Sequence, residues 1–227
     1  MSPSGHGPCG TVRRVPAPRG RPRKDTLTRT DAELLDAALE AFAERGYDGT
    51  SMREVARSLG VSHNLLPQRF GSKEQIWYLA VDHGFGTLAA ELAASTPGPP
   101  LDDLVRLRAM VMGFVVANAT RPALLRIINQ EAAAPGPRLD YLFDHYIGPV
   151  GEAGTELLGR LHATGEITTS SSALLYFLMT HGAGAPFALP SLAERFGRPV
   201  DRDDPAAIRA WAEMLVDTIF DGIVARP

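Results

Sequence analysis

Between Thr30 and Ala94 the chain starts and stops a helix four times within about 65 residues, and this punctuation constrains the fold more than any other feature. Thr30 can cap a helix over residues 31 to 45, whose Leu34, Leu35, Ala38, Leu39 and Phe42 recur on one face until Gly46 stops it. Ser51 and Glu54 have capping-box spacing for a short helix over 52 to 59, which Gly60 ends. Ser62 is placed to cap a third short helix reaching about Phe70. Gly71 breaks the chain again, and Ser72 with Gln75 repeats the capping-box spacing for a longer helix from Lys73 to about Ala94.

Farther on, Ser95 to Pro100, Arg121-Pro122, Pro135 to Pro137, Ala163 to Gly165 and the stretch from Pro186 to Asp203 separate helical segments expected near 102–119, 122–134, 138–162, 170–184 and 205–225. No segment alternates with period two, so strands are not expected and the fold class is all-α. The expected division is a basic, disordered arm over 1–27, a helical module over 28–76, and a second helical domain over 77–227.

With 44% apolar residues the chain can build a core, and its single cysteine, Cys9, excludes an internal disulfide framework and any multi-cysteine metal cluster. No run approaches the roughly 18 apolar residues of a membrane span, and the N-terminus lacks the apolar core of a signal peptide, so a cytoplasmic protein is expected. The net charge of -3 hides an asymmetry. Residues 1–75 hold 12 Lys/Arg against 9 Asp/Glu, whereas 76–227 hold 11 against 17, making the front +3 and the back -6. Arg13, Arg14, Arg19, Arg21, Arg23, Lys24 and Arg29 face only Asp25 at the very front, which points to a polyanion partner.

Two short helices crossing steeply need a small residue at their contact, a permissive turn residue and an apolar lock. From Met52 to Phe70 these are Ala56, Gly60, and Val55, Leu59, Val61, Leu66 and Phe70, the pattern of a helix-turn-helix. Left outside are His63, Asn64, Gln68 and Arg69, groups able to reach base edges or phosphates. The same pattern also describes an ordinary helical hairpin with a solvated face. The run Ala43-Glu-Arg-Gly-Tyr47, Thr50-Ser-Met-Arg-Glu-Val-Ala56, Gly60-Val-Ser62 and Phe70-Gly-Ser-Lys-Glu74 resembles, in order and spacing, the N-terminal domain of the TetR family of regulators. The resemblance implies that Thr50, Arg53 and Lys73 contact backbone phosphates and that the helix from His63, capped by Ser62, enters the major groove. One departure is Pro67, where family members usually carry a DNA-touching tyrosine. It removes a hydroxyl and an amide, so the third helix is expected to start late or bend.

The final helix, with Asp204 as cap and Pro205 in its first turn, carries Ile208, Trp211, Leu215, Ile219 and Ile223 on one stripe. The preceding segment offers Leu174, Phe177 and Leu178 before a small-residue run, Gly182 to Ala185. In the family such helices pair between subunits, so these eight residues are the expected dimer interface; a purely internal core is the alternative. If the resemblance extends to the middle helices they enclose an effector pocket, with Trp77, Phe114, Asn118, Asn129, Gln130, Tyr141, His145, Tyr146 and His181 as candidate lining.

There is no phosphate loop, HExxH, CxxC or Gly-x-Ser-x-Gly, and no two histidines stand at i, i+4, so neither catalysis nor a metal or other cofactor is expected. The expected function is that of a homodimeric regulator of transcription that binds double-stranded DNA at a palindromic operator and, as a repressor, is released by a small-molecule effector. The rival is a constitutive DNA-binding or architectural protein without a ligand. The arm adds Arg19-Gly-Arg-Pro-Arg23, which resembles the core of an AT-hook; its alternative is a basic tail that binds phosphates without sequence preference.

Overall fold

The computed structural model describes residues 29–95, 102–197 and 200–225, all of them helical or in short connections. The basic arm, with Arg19, Arg21 and Arg23, lies outside the described residues. Helix α1 (Asp31–Gly49) opens on a complete capping box: the Glu33 amide donates to Thr30 Oγ1 at 3.2 Å while the Thr30 amide donates to Glu33 Oε2 at 2.8 Å. Gly46 breaks it at φ 72°, left-handed backbone that favours glycine, and one further turn follows. Helices α2 (Met52–Ser58) and α3 (Leu65–Phe70) then cross over a fully buried Ala56, with Gly60 at φ 69° in the turn. The long α4 (Lys73–Ser95) starts with the expected box, Gln75 amide to Ser72 Oγ and Ser72 amide to Gln75 Oε1.

Two expected caps are absent. Ser51 makes no side-chain bond to α2, and the side chain of Glu54, its expected box partner, pairs with Arg45 at 3.3 Å. Ser62 does not start α3; its Oγ accepts only from the Asn64 amide at 3.4 Å, and the helix begins at Leu65. The late start puts Pro67 in the first turn, where its missing N–H leaves no helical bond unmade.

Helix α5 (Asp103–Thr120) turns through 93° at Arg121 into α6 (Pro122–Glu131). The segment expected as one helix over 138–162 is α7 (Pro137–Leu142), a π-helical turn over Phe143–Ile147, and α8 (Gly148–Ala163). The wide turn has a cause: Pro149 cannot donate to the preceding turn, and the register slips by one residue ahead of it, with the Gly148 amide reaching Phe143 O. The same device precedes Pro186, where α9 (Ser172–Phe177) passes through a π turn (Leu178–Ala183) into α10 (Ala185–Ala188). The stretch after Pro186, expected to be irregular, is partly helical, since Pro186 and Pro190 sit in the first turns of α10 and α11 (Pro190–Arg195). Helix α12 (Pro205–Ile223) is capped by Asp204 as expected, and its end is pinned by an isolated bridge between Ile167 and Val224. No single helix among the described residues is long and apolar enough to cross a membrane.

The apolar side chains form one cluster that joins α1, α2, α3 and α4 to Ala123, Leu124 and Ile127 of α6 and Leu142 of α7. Gly84 permits a close approach of α1 and α6 to α4: a Cβ there would stand 2.8 Å from Leu39 and 2.9 Å from Leu124. A second cluster joins α5 and α8 to Val216, Ile219 and Phe220 of α12, and a third joins Val115 and Ala119 to Phe187, Ile208 and Ala212.

Candidate nucleic-acid interface

Turn chemistry at Gly60 and the Val55–Ala56–Leu66 lock hold α2 and α3 so that their polar flanks share one outer surface. An open groove of about 520 Å³ runs along it, lined by Arg53, Arg57, Val61, Ser62 and His63. Three of the sequence-predicted residues, Arg53, Ser62 and His63, therefore meet in one place. Asn64 and Gln68 are exposed at the start and on the body of α3. Arg57 escaped the sequence reading, although its i, i+4 relation to Arg53 was a visible signal that both lie on one helix face.

The other predicted contacts have partners inside the molecule. Thr50 is buried, and its hydroxyl lies 2.7 Å from Gly46 O and 3.0 Å from Ala41 O, closing the end of α1 rather than pointing outward. Arg69 pairs with Asp31 at 2.8 Å and donates to Arg29 O at 2.9 Å, so it ties α3 to the start of α1 where the arm joins. Lys73 holds its ammonium 4.6 Å over the Tyr47 ring, with Asp48 O at 3.4 Å.

Candidate effector residues do not converge on one cavity. Trp77 is wholly enclosed in the first cluster, edge-on to Tyr78 and Tyr141. Tyr141 and Tyr146 both donate to Asp82 Oδ1, at 2.7 and 2.6 Å, across the seam between α4 and the α7 region. Burial first and Asp82 second push the Tyr141 phenol up to about 12, and the Tyr146 phenol is raised for the same reasons. His145 stacks on Tyr141, and Phe85 on Tyr146, each at 4.1 Å. Asn118 is spent on Phe114 O one turn back, and Gln130 donates to Ala43 O, stitching α6 to α1. Asn129 and His181 are exposed, the latter stacked on Phe177. A gap of about 10 Å³ beside Leu158, Leu174 and Ile223 is the size of one water.

The expected dimer residues divide. Ile208 and Ile219 are buried within the subunit, because α12 turns that stripe toward α5, α8 and α10. Trp211, Leu215 and Ile223 are half-buried, while Leu174, Phe177 and Leu178 are 50%, 58% and 47% exposed. Met214 of α12, Leu189 between α10 and α11, and Leu192 of α11 are exposed as well.

Residues 34–77 match the family model described as bacterial regulatory proteins, tetR family. The chain is 31% identical over 120 residues to the HTH-type transcriptional regulator AcrR of Shigella flexneri, covering 51% of this chain and 55% of that one. It is 37% identical over 102 residues to the HTH-type transcriptional activator FasR of Mycolicibacterium smegmatis, covering 42% and 44%. The chain thus spans about half the length of these relatives. Among solved structures, the ketosteroid transcriptional regulator KstR2 of Mycobacterium tuberculosis superposes with a TM-score of 0.65 at 22% identity, over 90% of this chain and 100% of that one. A tetR-family regulatory protein from Rhodococcus RHA1 gives 0.66 at 20% identity, over 88% and 100%. Those two likenesses extend the fold beyond the matched N-terminal segment.

Proposed function

The chain belongs to the TetR family of bacterial regulatory proteins, and from that premise we propose that it is a transcriptional regulator that binds duplex DNA through α2 and α3 as a homodimer. The observation that carries the reading is the cationic groove along α2 and the turn that follows it, lined by Arg53, Arg57, Val61, Ser62 and His63, with the exposed Asn64 and Gln68 farther along the chain. Arg53 positions the module on phosphates, and His63, Asn64 and Gln68 read base edges. A two-fold dimer places two such modules on half-sites about one DNA turn or a little more apart, so the operator is a palindrome. Leu174, Phe177, Leu178 and Met214 supply the apolar face that a second copy covers.

Selection of bound duplexes from a random pool tests this: a palindromic motif is expected to emerge, and a pool that stays random overturns the reading. The finer mode is a repressor released by a small molecule, whose arrival disturbs the seam of Asp82, Tyr141 and Tyr146 between α4 and the α7 region. A second reading, constitutive binding without a ligand, draws on the internal bonds that already satisfy Asn118, Gln130, Tyr141 and Tyr146. A compound screen scored by release from the selected operator separates them. The related activator FasR keeps activation open as the outcome at the promoter, which operator position decides.

A further inference from the structure

The cations of the N-terminal module fall into two groups. Arg29 is paired with Glu33, Arg45 with Glu54 and Arg69 with Asp31, at 3.0, 3.3 and 2.8 Å, and Lys73 is seated on Tyr47. Arg53 and Arg57 are exposed and have no acidic partner among the described residues. They stand four residues apart on α2, so their side chains leave one face of the helix about 6 Å apart along its axis. Like charges at that spacing repel and weaken a helix, and the nearby carboxylate of Glu54, on the same helix, is turned away to Arg45. Such a pair is satisfied by an anion from outside.

The groove says which anion. Arg53 and Arg57 line it together with Val61, Ser62 and His63, and none of these is a carboxylate. In a helix-turn-helix the first helix crosses the DNA backbone while the second enters the groove, so side chains on the outer face of α2 meet phosphates rather than base edges. We propose that Arg57 is a second backbone contact and that Arg53 and Arg57 together clamp the phosphodiester chain of one strand. This rests on the DNA-binding reading above and moves its anchor. The Thr50 hydroxyl is used inside the molecule and Lys73 is held on Tyr47, so the α2 pair carries the positioning charge.

The test uses the full chain with its selected operator and an unrelated duplex of equal length, measured from low to high salt. Arg57→Gln is expected to weaken binding to both duplexes at least about tenfold, and to lower the slope of log affinity against log salt by about 1.8, one phosphate's worth from each subunit of the dimer. Arg57→Lys keeps the slope, because the charge remains, and the double variant with Arg53→Gln loses about 3.6. Melting curves matching the wild type show that the exposed substitutions leave the fold intact. Unchanged affinity and slope in Arg57→Gln overturn the clamp, as does a loss confined to one base position of the operator, which makes Arg57 a base reader. A wild type that binds neither duplex overturns the DNA-binding reading and the clamp with it, whereas wild-type binding with an indifferent Arg57 removes only the clamp.

Discussion

Trp77 and Phe177 are both large aromatic residues on helices of mixed character, yet one is wholly enclosed and the other is 58% exposed. Around Trp77 the short helices of the N-terminal module close over their own core and draw α6 and α7 into it, and the groove on their outer side is lined mainly by polar groups, Arg53, Arg57, Ser62 and His63. Around Phe177 the reverse holds. Leu174 and Leu178, on the same helical stretch, are half in solvent, and Leu192 of α11 and Phe196 just past its end are exposed as well. The front of the molecule is complete as a single chain and presents charge, while the back presents oily surface that costs free energy until something covers it. The same hydrophobic effect thus closes a core at one end and leaves large apolar side chains in solvent at the other.

The largest expected effect comes from treating the two kinds of apolar residue alike. Ile219→Glu puts a carboxylate among Val216, Phe220, Leu157 and Leu161, and is expected to destabilise the subunit by about 3–5 kcal/mol. Phe177→Glu is expected to change subunit stability by no more than about 0.5 kcal/mol while abolishing self-association and, with it, tight operator binding. Thermal melting and sedimentation on both variants decide the matter. An Ile219→Glu protein that folds normally but is monomeric would put α12 the other way round.

Next in size is the seam that joins the two regions. Asp82→Ala leaves two phenol hydroxyls without their acceptor and is expected to cost about 1–3 kcal/mol, with Tyr146→Phe costing about 1 kcal/mol. A denaturant midpoint unmoved by Asp82→Ala would mean that the seam carries no stability. The phenols give the seam an alkaline signature. Their folded-state values lie above the ordinary 10, so their contribution is fully present below pH 10 and is lost as pH rises toward about 12. The melting temperature should therefore fall more steeply over that window in the wild type than in a Tyr141→Phe, Tyr146→Phe double variant. Equal slopes would assign the alkaline loss to other groups.

The boundary between what the sequence displayed and what it hid follows interaction range. Thr30, Ser72 with Gln75, and Asp204 cap within three residues of themselves, so their helices were legible. The box expected of Ser51 and Glu54 is absent, with the Glu54 carboxylate on Arg45 nine residues before it, and the Asp82 seam joins residues 59 and 64 positions apart, which no local pattern reveals. On α12 apolar residues lie outside the stripe of Ile208 and Ile219 as well, with Val216 and Phe220 buried and Met214 exposed, and periodicity alone could not say which turn inward. The prolines misled in one direction only: Pro186 and Pro190 were read as breaks, yet each sits in a first turn where no amide is needed. At the candidate interface the residue types were legible, while the inward turn of Thr50 depended on carbonyls that only the broken end of α1 supplies.

The smallest effect concerns Pro67, the residue that most sharpens the contrast between a finished front and an open back. It is exposed in the first turn of α3, and the Gly71 amide accepts no penalty from it, still donating to Pro67 O at 3.0 Å. Pro67→Ala therefore adds an N–H that no helical acceptor awaits and returns backbone freedom to the unfolded chain. The expected loss is only about 0.4–1 kcal/mol, with the oligomeric state unchanged because the back of the molecule is untouched. The reading head should feel it differently. Without the ring, the turn over His63 and Asn64 can wind into an earlier helical start, since Ser62 already lies at the cap position the sequence suggests. Operator selection with the variant is then expected to return a motif altered at the bases these two residues face. An identical motif, with the same half-site spacing, would show that the turn is held by Gly60 and the Val61 amide bond to Ala56 O rather than by the proline.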